Sequence, residues 1–221
     1  MRIRFLLALA VLVTAGDALT AQTSLRARTD AFPLAVVPWA ALGFNGTRAV
    51  ADDTDQLTCA VPARCFEYRL GNGPVLGVDL QLPLPTTFGV QLTASAGLPN
   101  QTRCALGNCL SIDRVTMLRG SALLLIRLKA RAPIFFGLGA AASRMNPGPV
   151  QGIQDTITVT EVGAAGLIAY DVSMGSNVGA RVSWAHYLLK PSSEGFPNTF
   201  QVESFAYDWL LSIGARIKIG S

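Results

Sequence analysis

The last stretch of the chain alternates so regularly that one backbone state alone suits it. Tyr207, Trp209, Leu211, Ile213, Ala215, Ile217 and Ile219 take every second position. Asp208, Ser212, Gly214, Arg216 and Lys218 fall between them, with Leu210 the one break. A period of two belongs to the β-strand, whose successive side chains point to opposite faces. The pattern recurs upstream, with Val178, Ala180, Val182, Trp184 and Leu188 set against Gly179, Arg181, Ser183 and Ala185. Leu76, Val78, Leu80 and Leu82 oppose Gly77, Asp79 and Gln81, and Phe88, Val90, Leu92, Ala94 and Ala96 oppose Gly89, Gln91, Thr93 and Ser95. Eight such segments are expected, near 34–45, 73–82, 88–98, 115–129, 133–144, 157–172, 178–190 and 204–219.

Composition decides which medium the apolar faces meet. Hydrophobic residues make up 50% of the 221 and charged residues 14%, against about 25% charged in an ordinary soluble domain. A spanning helix needs about 20 nearly uninterrupted apolar residues. Beyond the N-terminus the best run, Ala122 to Ile126, is short and is followed by Arg127 and Lys129. Apolar content delivered as alternating strands enters lipid only as a closed barrel, which pairs every backbone polar group. The links also alternate in length. Short ones fall at 83–87, 130–132 and 173–177, longer ones at 45–72, 99–114, 145–156 and 190–203. The expected fold is all-β, an eight-stranded antiparallel up-and-down transmembrane barrel. The inward face is expected to hold small residues with isolated charges, since eight strands leave an interior just wide enough for side chains. A soluble lipocalin-like barrel is the architectural rival. It would turn Trp209, Ile213 and Ile217 inward.

Residues 1–21 read as a cleavable signal peptide, leaving a barrel domain over 22–221. Arg2 and Arg4 form a basic start, Phe5 to Val13 an apolar run too short to span, and Ala18 or Ala21 a small-residue cleavage zone. An uncleaved anchor is the weaker alternative. Export makes the pairs Cys59/Cys65 and Cys104/Cys109 read as two local disulfides in long loops. A four-thiolate zinc site is the rival, but the spacings are wide for it. The net charge of +4 is too weak and dispersed to argue for nucleic acid.

With these strands in place, the chain resembles the small outer-membrane barrels of the OmpA/OmpX type over essentially all of 22–221. The most specific part is the final strand, Ser212-Ile213-Gly214-Ala215-Arg216-Ile217-Lys218-Ile219, which is similar to the group's C-terminal assembly signal. Ile219 stands there where an aromatic residue is usual, and Gly220 and Ser221 trail it. The resemblance implies residence in the outer membrane, with membrane lipid and the barrel-assembly machinery as partners. It implies no single activity, and it leaves any surface partner unidentified.

Three sets of residues are candidates for function. Asp79, Arg127, Lys129, Asp171, Arg181, Asp208, Arg216 and Lys218 are expected to face the lumen as a charge network. Such charges must be paired or hydrated, so they form either an ion-paired plug or a narrow ion path. With the long loops outward, Phe88, Phe136 and Tyr170 lie near the periplasmic rim, and Phe44, Trp184, Tyr207 and Trp209 near the outer one. Trp and Tyr favour that interface because their rings are amphipathic. His186, the lone histidine, falls on the outward face of its strand. A lipid-modifying enzyme would need a nucleophile and an orienting acid beside it. Ser183 has the wrong register, and Ser204 and Glu203 could reach it only across strands.

Gly137-Leu138-Gly139-Ala140-Ala141-Ala142 superficially resembles a dinucleotide turn, but it continues as a strand, without the helix that would receive pyrophosphate. No metal-ligand cluster or cofactor motif appears. The expected role is that of a non-enzymatic membrane protein displaying disulfide-closed loops, with a narrow pore as the alternative and an enzyme using His186 behind it.

Overall fold

A sheet with one lipid-like face has no use for free edges, and closing it on itself removes them. A computed structural model describes residues 32–52, 65–84, 87–105, 108–127, 133–146, 158–192 and 200–220. Its strands, in chain order, are β1 (Ala35–Phe44), β2 (Thr47–Asp52), β3 (Cys65–Leu70), β4 (Gly73–Pro83), β5 (Phe88–Gly97), β6 (Asn100–Ala105) and β7 (Asn108–Arg114). They continue as β8 (Thr116–Ile126), β9 (Ile134–Asn146), β10 (Val159–Ser173), β11 (Val178–Pro191), β12 (Phe200–Val202) and β13 (Ala206–Lys218). Eight of these close a barrel in the order β1-β13-β11-β10-β9-β8-β5-β4. All neighbours are antiparallel, and β1 seals the ring by pairing β13 on one side and β4 on the other.

The barrel strands fall where the alternation places them. Outward positions carry Leu76, Val78, Leu124, Leu138, Ile168, Val182, Leu211, Ile213 and Ile217, all exposed. The lipocalin-like alternative fails here, because Trp209, Ile213 and Ile217 point away from the interior. Leu210, the break in the final alternation, is 3% exposed and packs inside.

The lumen corrects one expectation. It is not dominated by small residues. Leu123, Leu125, Phe135, Leu167, Tyr187, Leu189 and Leu210 fill it as one apolar cluster, with Trp39 and Ala185 against it. Burial of such side chains stabilises by about 1.5–3 kcal/mol each, so the barrel has a packed core as well as an apolar exterior.

The long links are the second correction. The expected loops at 45–72, 99–114 and 190–203 contain β2, β3, β6, β7 and β12. These form a separate sheet in the order β12-β2-β3-β6-β7. That order repeats the barrel's own run β13-β1-β4-β5-β8, because each upper strand adjoins a barrel strand in the chain. The wall therefore rises on five strands, and among the described residues β9, β10 and β11 have no counterpart above them. Hydrogen bonds staple the junctions. Gly71 N donates to Asn100 O at 2.6 Å, and Val115 N to Pro99 O at 3.0 Å. The Asn45 side-chain amide donates to Gly71 O at 2.9 Å. These strands run for three to seven residues each, against 10 to 15 in the barrel, so none offers a long alternation to read.

Residues 1–21, Cys59 and Lys129 lie outside the described residues.

Candidate functional site

Strand register brings a charged layer together near the short turns. Asp171 on β10 stands directly opposite Arg181 on β11, and Gln81 on β4 opposite Gln91 on β5. Arg181 Nε donates to Asp171 Oδ1 at 2.7 Å, and its Nη2 reaches Oδ2 at 3.1 Å. Nη2 also donates to Gln81 Oε1 at 2.8 Å and Nη1 to Gln91 Oε1 at 3.3 Å. Asp79 Oδ2 lies 3.9 Å from the same guanidinium. Arg216 Nη1 bonds Asp171 Oδ2 at 2.8 Å, and Arg127 Nη2 stands 3.7 Å from that oxygen. Phe135 underlies Arg181 with its ring centre 4.7 Å from the guanidinium carbon. Phe32, ahead of β1, turns into the barrel mouth at 1% exposure. It meets Phe135 edge-on at 5.4 Å and lies 4.2 Å beneath Arg127.

Above this layer the lumen narrows onto Trp39. The indole Nε1 donates to Asp79 Oδ1 at 2.8 Å, and Thr93 Oγ1 donates to the same oxygen at 2.9 Å. The indole fits only because position 77 has no Cβ. One built there would collide with Trp39 Cζ2. A cavity of about 20 Å³ remains among Trp39, Asp79, Thr93, Ser183, Tyr187 and Ser212, room for about one water molecule.

A second charged layer lies toward the long-loop end. Arg119 on β8 forms an ion pair with Asp208 on β13, and Gly46 N donates to Asp208 Oδ1 at 3.1 Å. The Arg119 guanidinium carbon sits 4.2 Å above the Tyr187 ring. Among the described residues its Nε and Nη1 have no hydrogen-bond partner. Ser143 Oγ donates to Glu161 Oε2 at 2.5 Å nearby. Leu70, Val115, Met117, Met145 and Val159 form a separate buried apolar cluster at that end.

Among the described residues, the lumen thus holds four arginines (119, 127, 181, 216) and four carboxylates (79, 161, 171, 208), a formal balance of zero. Of the sequence candidates, Asp79, Arg127, Asp171, Arg181 and Arg216 share the lower layer, whereas Asp208 belongs to the upper one. Lys218 stands apart at the mouth, donating to Ser176 O at 2.8 Å. Arg119 and Glu161 were not expected. β8 is apolar on both faces around Leu123, Leu124 and Leu125, which hides its parity. The clue lies in Arg127 and Lys129, which share the odd parity of Arg119 and Leu123 on the same segment.

On the outside, Phe88, Phe136 and Tyr170 sit close to the short turns, and Phe44 stacks on Trp209 at 3.9 Å near the other end. Tyr207 is 68% exposed just above Trp209. Trp184 lies near the middle of β11, lower than the rim expected for it. His186 also faces outward, edge-on to Trp184 at 4.4 Å. Its register partners are Gly166 and Trp209, which offer neither nucleophile nor acid. Cys104 and Cys109 occupy opposed positions across β6 and β7, and Cys65 opposes Asp52. No cluster of three or more His, Cys, Asp or Glu suited to a metal occurs among the described residues.

No family model and no curated protein matches this sequence. Solved structures do. The outer membrane protein OprG of Pseudomonas aeruginosa is similar at 9% identity with a TM-score of 0.59, over 86% of this chain and 99% of that one. Neisserial surface protein A (NspA) aligns over 86% of this chain and 99% of its own at 13% identity and a TM-score of 0.48. The attachment invasion locus protein Ail of Yersinia pestis aligns over 84% and 100% at 11% identity and a TM-score of 0.38. The likeness to OprG carries the assignment, and it is one of fold. The chain has the small eight-stranded outer-membrane barrel architecture that its sequence resembles.

Proposed function

We propose that this protein is a non-conducting barrel of the bacterial outer membrane that anchors a raised β-wall at the cell surface for adhesion or partner binding. The observation that carries the reading is the filled lumen, where two ion-paired layers and an apolar core leave a cavity of about 20 Å³. Among the described residues a hydrated ion has no route through such an interior. The membrane address is supported by the outward positions of the barrel strands, among which Leu, Ile, Val and Ala predominate and no Asp or Glu occurs.

The finer parts of the proposal have their own supports. The opposed backbone positions of Cys104 and Cys109 suit a local disulfide, and Cys59 would pair with Cys65 in the same loop system. Masses before and after alkylation, with and without reductant, would count both bonds. Membrane lipid and the assembly machinery are the partners proposed for the barrel itself. The catalytic role is set aside because His186 faces Trp184 and Trp209 instead of an acid or a nucleophile.

The test is folding of the chain from residue 22 into detergent, followed by gel mobility with and without boiling and by bilayer recording. A band that shifts on boiling together with a silent bilayer is expected. Discrete conductance steps would overturn the closed-lumen reading, and a chain soluble without detergent would overturn the membrane assignment.

A further inference from the structure

The outward face of the barrel is almost free of charge, which makes its two exceptions informative. Among the outward positions of the eight barrel strands, the only formal charges are Arg144 on β9 and Lys190 on β11. Both are basic, both are exposed, and both stand at the long-loop end. Neither has an ion pair or hydrogen bond among the described residues. They flank β10 in register, with Arg144 opposite Thr160 and Lys190 opposite Val162. Strand spacing and rise put them roughly 10–12 Å apart, so two long side chains can close on one group between them.

What surrounds the pair selects the ligand. These charges lie on β9 and β11 beside β10, and among the described residues no wall strand stands above these three, so both sit at the upper edge of the described outward surface. Below them the outward residues include Ala142, Ala140, Ala164 and Gly166, with Val162 and Leu188 beside them, and an extended hydrocarbon chain can lie close to the backbone over the small ones. A snorkelling lysine or arginine needs no specific partner. Two cations bracketing one strand, unpaired among the described residues and with no acidic residue on the outward face of the barrel strands, form a complementary seat for a phosphate.

We infer that the outward rim of β9, β10 and β11 binds a phosphate-bearing membrane lipid, its headgroup held by Arg144 and Lys190 and one acyl chain lying on Ala142, Ala140, Ala164 and Gly166. The inference rests on the membrane reading above. Bases near a membrane surface favour anionic lipid by about fivefold each, so the pair should give a preference on the order of tenfold or more.

Trp184 opposes Ile168 beside this surface and serves as the reporter. The chain is folded into phosphatidylcholine vesicles containing brominated phosphatidic acid or, at the same mole fraction, brominated phosphatidylcholine, and tryptophan quenching is compared. Brominated phosphatidic acid should quench several-fold more effectively. The preference should vanish in the double variant Arg144→Gln/Lys190→Gln and persist in the charge-conserving Arg144→Lys/Lys190→Arg. A Trp184→Phe control identifies the part of the signal arising at this site. Equal quenching by the two lipids in a barrel that still shifts on boiling would overturn the lipid site alone. A preference that survives the double glutamine variant would overturn its assignment to these residues. A chain that remains soluble and shows no boiling shift would remove the membrane reading and this site together.

Discussion

The two charged layers of the lumen solve the same problem differently. In the lower one, Arg181 directs its donors to Asp171, Gln81 and Gln91, and Asp171 in turn receives Arg216. In the upper one, Arg119 meets Asp208 and the Tyr187 ring but, among the described residues, keeps Nε and Nη1 unpartnered. A buried ion pair repays its desolvation only when the remaining lone pairs and protons are also satisfied. Arg181 meets that condition at all three of its nitrogens, although Gln81 Nε2, Arg127 Nε and Arg216 Nε around it have no partner among the described residues, and the groups it bridges depend on it. The upper pair is closer to break-even, so the two layers should respond very differently to substitution.

Arg181→Leu should be the most damaging change. It leaves Asp171 and Asp79 without their shared cation and Gln81 and Gln91 without a donor, at about 3–5 kcal/mol for an uncompensated buried charge. The urea midpoint of the folded barrel in vesicles would measure it. A shift near zero would show that the lower layer is a passenger. Gly77→Ala should come next, at about 1–3 kcal/mol for an overpacked core. Its Cβ drives the Trp39 indole off Asp79, and the near-ultraviolet circular dichroism of the folded barrel would register the displaced ring. Thr93→Val removes one hydroxyl bond to Asp79 and should lower stability by about 1 kcal/mol, read from the same urea titration. The smallest effect is expected from replacing both upper partners together, Arg119→Met with Asp208→Leu. Well-packed apolar substitutes for a buried pair are often neutral or stabilising. If that double variant loses as much as Arg181→Leu, the contrast between the layers is wrong.

A similar contrast separates the barrel from the sheet above it, and it explains what could be read in advance. Within the barrel one face is apolar and exposed and the other lines a mixed interior, so every second residue carries a signal. Leu76, Val78 and Leu80 announce β4 as clearly as Tyr207 to Ile217 announce β13. Cys65–Leu70 alternates too, Phe66, Tyr68 and Leu70 against Glu67 and Arg69, but over six residues only, and Asn100–Ala105 does not, so both stretches are expected as loop from sequence. Parity also assigned Asp79, Asp171, Arg181 and Arg216 to the lumen. It also covers Arg119, which has the odd parity of Arg127 and Lys129, although Leu123 and Leu125 make the inward face of β8 look like an outward one.

The sequence by itself determined the number of barrel strands, their closed topology and the side of the barrel on which nearly every barrel residue lies. Each of these follows from local alternation and from the cost of an unpaired edge. Which charges meet was left to the tertiary structure. Arg119 and Asp208 are far apart in the chain and share no strand pair, so only the barrel's closure and stagger carry one across the lumen to the other. The same holds for the seating of Phe32 and for the basic pair flanking β10. Local periodicity fixes which way a side chain points, but the register of strands around the ring decides what it finds there.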